Sequence, residues 1–175
     1  QDVEDLRKLI QEHGKYDIPI ISKIEKPEAL VNIKEIVKAS NALMVARGDL
    51  GVEVPAEEVP IVQKELVQHA KLARIPVIVA TQMMESMIDG LTPTRAEVND
   101  VANSVMDGAD AVMLSGETSV GKYPVEVVQT MRRILVSVEN SPLIQVPYKV
   151  PKKKNTRFVT KSVCFHAATM ADEIE

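Results

Sequence analysis

Four short runs of apolar, largely β-branched residues recur along the chain and alternate with stretches of helical periodicity. The runs are Ile18 to Ile24, Ala42 to Val45, Val77 to Ala80 and Ala111 to Leu114. They show little alternation of apolar and polar residues, which predicts strands covered on both faces, as in a parallel sheet flanked by helices. The pattern therefore predicts four consecutive strand–helix units.

Local start signals mark where the intervening helices begin. An opening helix is predicted from Val3 to His13, with Gly14 as its terminating residue. The later helices are predicted to start at Pro27, at Pro60, at Thr94 with Glu97 as a capping box, and at Pro124. The helix that starts at Pro27 is predicted as one continuous helix whose apolar stripe contains Leu30, Ile33, Ile36 and Val37.

Polar residues follow each predicted strand, and this decides between two arrangements of the units. The clusters are Lys23 with Glu25, Arg47 to Asp49, Thr81 with Gln82, and Ser115 to Thr118. An open sheet concentrates its site at one switch point, whereas a (βα)8 barrel collects residues from the carboxyl ends of all its strands. Residues 1–140 are therefore predicted to form half of a (βα)8 TIM-type barrel, since four strands cannot close one.

Residues 141–175 break this pattern. Between Ser141 and Thr156, three prolines and the run Lys152 to Lys154 predict a linker with a solvated surface. Helical periodicity resumes from Thr160 to Glu175, which predicts the start of a second domain that the chain does not complete. The first residues look like the interior of a longer protein rather than its natural start.

The composition is ordinary for a globular protein, with 45% hydrophobic and 26% charged residues. The net charge of −4 argues against a nucleic-acid-binding protein that relies on bulk electrostatics. No apolar run is long enough to span a bilayer. The single cysteine, Cys164, permits no internal disulfide and fits a reducing compartment, so a cytoplasmic location is expected.

Lys23 and Glu25 lie two residues apart at a strand end, so their side chains leave the same face of the sheet. Each charge favours the charged form of the other. The pair predicts either a structural salt bridge or a cation for an anionic substrate beside a metal-binding carboxylate. The spacing alone leaves both interpretations open.

The segment from Ala46 to Glu53 follows the second predicted strand and is expected to form a tight turn. Gly48 has no Cβ, so its N–H group can approach a carboxylate or phosphate closely; an ordinary turn glycine before a capping Asp49 is the alternative. Together, Glu25 and Asp49 offer two hard oxygen ligands. Mg²⁺ typically takes one or two protein carboxylates and completes its shell with substrate oxygens and water.

Thr81 ends the third predicted strand. Its hydroxyl is a candidate for donating to a bound anion or passing a proton through water, and a helix cap is the alternative. The methionines that follow, Met83, Met84 and Met87, are expected to pack beneath the rim of strand ends. The turn from Ser115 to Thr118 resembles a phosphate-binding turn, but such turns are common and the signal is weak.

Five segments together resemble the pyruvate kinase family, in order and over most of the chain. They are ISKIE from Ile21, MVARGDLGVE from Met44, ATQM from Ala80, PTRAEV from Pro93 and VMLSGET from Val112. The resemblance implies an α/β fold: the second half of the catalytic barrel, then a linker and the first helix of an incomplete α/β C-terminal domain. It implies a homotetrameric glycolytic enzyme that transfers phosphoryl from phosphoenolpyruvate to ADP, giving pyruvate and ATP.

The resemblance also implies residue roles. Lys23 matches the lysine that stabilises the transferring phosphoryl group, and Glu25 and Asp49 match the ligands of Mg²⁺ (or Mn²⁺). Gly48, Asp49 and Thr81 match the residues that hold the substrate carboxylate, and Thr81 lies near the face where the enolate takes its proton. The family usually also needs K⁺, whose loop is expected to lie outside this chain.

On this basis the chain is expected to be a fragment with negligible kinase activity of its own. Its unpaired strand edges predict self-association. Two alternatives stay open: another metal-dependent barrel that handles phosphoenolpyruvate or pyruvate, such as an aldolase or lyase, and a non-catalytic scaffold. No nucleic-acid or membrane partner is expected.

Overall fold

The structure is a computed structural model that describes residues 1–14, 18–142 and 158–174. The chain divides into two units, residues 1–140 and residues 141–175. The first unit carries all the strands of the described part of the chain, and the second carries one described helix, Phe158–Ile174.

The first unit is built on one sheet of four parallel strands in sequence order. The strands are β1 (Ile21–Ile24), β2 (Ala42–Ala46), β3 (Val77–Ala80) and β4 (Ala111–Met113). The register pairs Ile21 with Ala42, Leu43 with Val77 and Ile78 with Ala111. Parallel strands in sequence order have no switch point, and right-handed crossovers place every connecting helix on the same face. This confirms the predicted α/β class and its four parallel strands.

Helices precede and separate these strands in the order that the sequence predicts. They are α1 (Asp2–His13), α2 (Pro27–Val31), α3 (Ile33–Ala39), α4 (Arg47–Glu53), α5 (Val59–Ala73), α6 (Arg95–Asp107), α7 (Gly116–Ser119), α8 (Pro124–Glu139) and, in the second unit, α9 (Phe158–Ile174). A 3-10 helix, Glu85–Ile88, lies between β3 and α6.

The prediction of a single helix from Pro27 is wrong. The helical segment is divided into α2 and α3 at Asn32, whose backbone leaves the helical region at φ −102° and ψ 18°. The side-chain amide nitrogen of Asn32, Nδ2, donates to the backbone carbonyl of Glu28 at 2.8 Å, a local hydrogen bond that competes with helix continuation. The apolar stripe still faces inward, with Ile33 and Val37 buried.

Two strand limits and one turn also differ from the prediction. β1 begins at Ile21 rather than Ile18, and Ile18 is exposed. The expected tight turn after β2 is a short helix, α4, that starts at Arg47 without a loop. Gly14 ends α1 in an extended conformation with φ −132°, so this position does not require a left-handed glycine.

The core lies between the two central strands and the helices that cover them. Leu43 and Val45 in β2, and Val77 and Val79 in β3, are fully buried. They share one apolar cluster with Leu66 and other residues of α5. The predicted packing of Met83, Met84 and Met87 is confirmed, since all three are fully buried. The site is thus supported by the most deeply buried part of the sheet.

Helix α6 begins with the capping box that the sequence predicts. Thr94 Oγ1 accepts a hydrogen bond from the Glu97 amide at 3.2 Å, and Glu97 Oε2 accepts one from the Thr94 amide at 2.7 Å. Glu97 also accepts from the amide of Ser86 at 2.7 Å, which ties the segment after β3 to the start of α6. This fixes where α6 begins relative to the strand ends.

The predicted linker and its lysine run, Lys152 to Lys154, fall mostly on residues 143–157, outside the described residues. Helix α9 covers most of the helix predicted from Thr160. None of the described helices is both long and apolar enough to cross a membrane.

Candidate functional site

Three charged side chains from neighbouring strand ends meet at one point of the sheet edge. Lys23 lies near the end of β1, Glu25 directly follows that strand, and Asp49 lies in the first turn of α4, directly after β2. The Lys23 ammonium nitrogen, Nζ, is 2.5 Å from Glu25 Oε2 and 2.9 Å from Asp49 Oδ2. The pairing of Lys23 with Met44 in the sheet register explains this convergence, because it aligns the carboxyl ends of β1 and β2.

The charges of this cluster stabilise one another. The carboxylate of Glu25, and after it that of Asp49, raises the pKa of Lys23 above 10.5. The hydrogen bond from Lys23, followed by its positive charge, lowers the pKa of Asp49 below 3.8. Lys23 and Asp49 thus each favour the charged form of the other. The side chains of Lys23 and Asp49 are half exposed or more, so a ligand from solvent can reach them.

One buried carboxylate oxygen of the cluster, Glu25 Oε2, is held by its ion pair with Lys23 Nζ at 2.5 Å rather than by a well-directed hydrogen bond. The donor set, two carboxylates at the open edge of a sheet, suits a hard cation such as Mg²⁺ that takes its remaining ligands from substrate and water.

No group of three or more histidine, cysteine, aspartate or glutamate side chains in the described part of the chain could hold a metal ion by itself. Glu25 and Asp49 would thus provide an open site, which fits Mg²⁺ better than a closed structural metal centre.

Gly48 and Thr81 form a second contact beside this cluster. The amide of Gly48 donates to Thr81 Oγ1 at 2.7 Å, and this hydroxyl donates to the carbonyl of Ala80 at 2.6 Å. A Cβ at position 48 would lie 3.3 Å from Thr81 Oγ1, which is tighter than an ordinary contact. Gly48 is therefore suited to this position because the backbone of α4 approaches the Thr81 side chain so closely.

Thr81 and its successor have an unusual backbone conformation. Their φ angles are +68° for Thr81 and +53° for Gln82, in the left-handed region that a β-branched residue rarely adopts. Thr81 is not the cap of the following 3-10 helix, whose N-cap residue is Met84. The helix-cap alternative is therefore wrong, and strain of this kind is concentrated at ligand-binding and catalytic sites.

Sequence reasoning placed Arg47 in a polar cluster but missed its contacts. Its guanidinium is buried and donates to the carbonyl of Thr81 through Nη2 at 2.7 Å and to that of Gln82 at 3.0 Å. Through Nη1 it pairs with the two carboxylate oxygens of Asp100 in α6, at 2.7 and 2.6 Å. The only signal in the sequence was an arginine directly after an apolar strand, and nothing there identified Asp100 as its partner.

The turn that begins at Ser115 has a structural role in this protein. The buried carboxylate of Glu117 accepts hydrogen bonds from the amides of Ser115 at 2.7 Å and Met84 at 3.1 Å. The amide of Ser115 is therefore already engaged, and this geometry gives no support to the weak phosphate-turn signal.

A cleft of about 340 Å³ lies beside α4 and is lined in part by Arg47, Gly48, Gln82 and Asp100. Neither Lys23 nor Glu25 lines this cleft. The charged cluster therefore lies outside the lining of this cleft.

Comparisons with known proteins agree with this arrangement. The family model for the pyruvate kinase barrel domain matches residues 1–128. The chain is 58% identical over 151 residues to pyruvate kinase from Mycobacterium intracellulare, a match that covers 83% of this chain and 32% of that protein. It is 56% identical over 153 residues to pyruvate kinase from Corynebacterium glutamicum, covering 87% of this chain and 32% of that protein.

Pyruvate kinase from Bacillus licheniformis is 59% identical over 133 residues, covering 76% of this chain and 23% of that protein. The chain thus spans about a third or less of the length of these curated relatives. With the family model matching most of the chain, and with four parallel strands that fit part of a TIM-type barrel, the chain belongs to the pyruvate kinase family.

Proposed function

We propose that the cluster of Lys23, Glu25 and Asp49, with Gly48 and Thr81 beside it, is part of a site that transfers phosphoryl from phosphoenolpyruvate to ADP. The observation that carries this proposal is the convergence of one ammonium and two carboxylates from neighbouring strand ends, with Lys23 Nζ within 2.9 Å of both acids. Phosphoryl transfer depends mainly on positioning and charge neutralisation, which is what such a cluster supplies.

Glu25 and Asp49 are the residues that would hold Mg²⁺ or Mn²⁺, and the meeting of both carboxylates at the Lys23 ammonium supports this role. When bound, the cation supplies Lewis-acid stabilisation of negative charge on phosphoryl and enolate oxygens. Asp49 also belongs to the first turn of α4, so it lies next to the amide of Gly48. This adjacency would bring the metal ligand and the carboxylate-binding backbone into one turn.

Lys23 is the residue that would neutralise the transferring phosphoryl group. In the structure its ammonium lies between two carboxylates, and its side chain remains half exposed. Cation binding at these carboxylates would compete with Lys23 for their charge. The ammonium would then be available to a phosphoryl oxygen at the same sheet edge.

Gly48 and Thr81 would hold the substrate carboxylate. The Gly48 amide donates to the Thr81 hydroxyl oxygen at 2.7 Å, so the two groups meet across the strand ends. A carboxylate that inserts here would accept from both groups, replacing this hydrogen bond and the one that Thr81 Oγ1 donates to the Ala80 carbonyl. The same hydroxyl would pass a proton to the enolate through water.

The remaining features of the family belong to this proposal as well. They are a homotetramer with ADP and ATP as nucleotides, a K⁺ requirement met by residues outside this chain, a cytoplasmic location, and membership of α9 in a C-terminal α/β domain. The chain alone is proposed to have negligible turnover and to self-associate. Supporting the latter, β1 and β4 each pair on one side only among the described strands.

The alternative barrel enzymes, an aldolase or lyase, and the non-catalytic scaffold are less well supported. An aldolase or lyase does not account for the match of residues 1–128 to the pyruvate kinase barrel domain. The presence of Lys23, Glu25, Asp49 and Thr81 together argues against a scaffold.

The test is calorimetric titration of the 175-residue chain with oxalate, a planar dicarboxylate, in the presence and absence of Mg²⁺. We expect Mg²⁺ to strengthen oxalate binding, since a shared cation links the two ligands. Glu25→Gln should abolish this effect. Glu28→Gln, which changes an exposed carboxylate in α2, should leave it intact. Oxalate binding that does not respond to Mg²⁺ would refute the proposal.

A further inference from the structure

The backbone at Thr81 and Gln82 needs an external restraint. Both residues lie in the left-handed region, with φ +68° and +53°. Neither is a glycine, and Thr81 is β-branched, so the isolated segment would favour another conformation. Such a conformation persists only where the surrounding structure enforces it.

Arg47 supplies that restraint through the carbonyls of both strained residues. Its Nε and Nη2 atoms donate to Thr81 O at 3.2 and 2.7 Å, and Nη2 also donates to Gln82 O at 3.0 Å. The planar guanidinium has its donors in a fixed fork, so two adjacent carbonyls bound to it must keep one orientation. The side chain is buried, which strengthens these hydrogen bonds.

Asp100 fixes the guanidinium from the opposite side. Arg47 Nη1 lies 2.7 Å from Oδ1 and 2.6 Å from Oδ2 of this carboxylate, which belongs to α6. Without Asp100 the buried positive charge would lose its counter-charge. Arg47 therefore links Asp100 of α6 directly to the strained segment.

We propose that Arg47 and Asp100 form a positioning pair that holds Thr81 and Gln82 in their left-handed conformation and so fixes the Thr81 hydroxyl against the Gly48 amide. This inference rests on the proposed function, because its consequence is for binding of the substrate carboxylate. The geometry supports it directly: Arg47 contacts the Thr81 carbonyl, while its neighbour Gly48 contacts the Thr81 hydroxyl at 2.7 Å.

Loss of the positioning pair can be distinguished from general destabilisation of the fold by comparing the affinities for oxalate and for Mg²⁺. Loss of the pair should move Thr81 while leaving in place Lys23, which lies on β1, and Glu25, which directly follows that strand. Oxalate affinity at saturating Mg²⁺ should therefore fall, while Mg²⁺ affinity without oxalate should change little. A variant that only loosens the fold would weaken both.

The experiment compares Asp100→Asn with two controls in the full 175-residue chain. Asp89→Asn makes the same charge change in an exposed pair with Lys122. Val101→Ala removes buried methyl groups from α6 without touching Arg47. We expect Asp100→Asn to weaken oxalate about tenfold, a factor within the cost of a strained backbone. Asp89→Asn should have no effect, and Val101→Ala should lower the melting temperature without separating the two affinities.

A rescue variant tests the cause. Gln82→Gly removes the side-chain penalty at φ +53° and keeps the Thr81 hydroxyl. Added to Asp100→Asn, it should restore oxalate affinity to within about threefold of the parent chain. Failure of the rescue, or equal loss of oxalate and Mg²⁺ affinity in Asp100→Asn, would overturn the positioning pair.

A ligand-free measurement separates this inference from the proposed function. A positive φ gives a strong intraresidue NOE between the amide and Hα protons, which we expect for Thr81 and Gln82 in the parent chain and expect to weaken in Asp100→Asn. If the parent chain bound no oxalate, the proposed function would be refuted. The NOE measurement would still test whether Arg47 and Asp100 hold Thr81 and Gln82 in the left-handed conformation. Unchanged NOEs in Asp100→Asn would refute the pair.

Discussion

Two ionic groups lie on either side of the first turn of α4, and they differ in how their charges are used. The exposed group joins Lys23, Glu25 and Asp49, with the Lys23 and Asp49 side chains 50% and 59% exposed. The buried group joins Arg47 to Asp100, and the Arg47 side chain is only 8% exposed. Arg47 and Asp49 are only two positions apart, yet the Arg47 side chain faces the protein interior and the Asp49 side chain faces solvent.

The difference shows how the chain separates structural charge from functional charge. Arg47 commits its donors to the carbonyls of Thr81 and Gln82 and to one carboxylate, so little remains for a ligand. Lys23 is half exposed and pairs with Asp49, whose side chain is also open to solvent, so a cation or a phosphoryl group can exchange with it. Buried pairs are costly to break, whereas exposed pairs contribute little to stability.

The largest expected effect is a difference in stability between two variants that each remove one cation, Arg47 or Lys23. Arg47→Met leaves the Asp100 carboxylate and two carbonyls without their donor, so the free energy of unfolding should fall by about 3 kcal/mol. Lys23→Met removes an exposed cation, so its urea midpoint should stay close to that of the parent chain. Urea denaturation followed by circular dichroism measures both, and equal losses would contradict the distinction between the two groups.

Lys23→Met should instead change cation binding. Lys23 competes with a metal for the charges of Glu25 and Asp49, with Nζ at 2.5 and 2.9 Å from them. Removing this positive charge should raise the affinity of the chain for Mn²⁺ by roughly fivefold, as expected for nearby charges in a water-rich site. Electron paramagnetic resonance of free Mn²⁺ gives the affinity. Lys34→Met, an exposed lysine of α3, is the control, and weaker binding in Lys23→Met would refute the competition.

Replacing either of two glycines of α4 by alanine should have smaller effects, and these should differ between the two positions. A Cβ on Gly51 would lie 3.9 Å from Val59 Cγ2, an ordinary contact, so Gly51→Ala should stabilise the chain by about 0.5–1 kcal/mol through helix propensity. A Cβ on Gly48 would lie 3.3 Å from Thr81 Oγ1, so Gly48→Ala should gain less stability and weaken oxalate binding. Thermal unfolding and calorimetry measure these changes. An equal gain in both variants, with unchanged oxalate affinity, would show that the close approach has no role.

The smallest expected effect concerns Glu97 at the start of α6, the helix that also carries Asp100 of the buried group. Burial opposes ionisation of Glu97, but hydrogen bonds from Ser86 and Thr94 outweigh it and lower the pKa of Glu97 below 4.5. A carboxylate with a lowered folded-state pKa stabilises the fold above its unfolded pKa and loses that contribution as pH falls through the folded pKa.

Glu97→Gln should therefore be less stable than the parent chain at neutral pH, and the difference should shrink as the pH falls below 4.5. Melting temperatures between pH 3 and pH 7 give the comparison. Glu126→Gln, in the exposed first turn of α8, is the control and should show a smaller, less pH-dependent difference. A difference that stays constant down to pH 3 would exclude the assigned role of Glu97.

The sequence could predict features that depend on near neighbours along the chain. The apolar runs located β2 and β3 to within one residue, and the spacing of Thr94 and Glu97 gave the capping box. The two-residue spacing of Lys23 and Glu25 placed both side chains on one face, as the structure shows. The meeting of these two with Asp49 followed from the alignment of parallel strand ends.

Features that depend on distant contacts were beyond the sequence. Asp100 meets Arg47 across 53 positions, and only the packing of α6 beside the strand ends brings them together. The left-handed conformation of Thr81 depends on that contact, since propensity alone argues against it. The break at Asn32 reflects a local side-chain hydrogen bond that the apolar stripe does not reveal.

The most direct test of the central claim is a crystal structure of the chain grown with Mn²⁺ and oxalate, with anomalous diffraction to locate the metal. The account predicts one anomalous peak about 2.0–2.2 Å from an oxygen of Glu25 and an oxygen of Asp49, with oxalate on the Gly48 amide and the Thr81 hydroxyl. A peak elsewhere, with Lys23 still paired to both carboxylates, would contradict it.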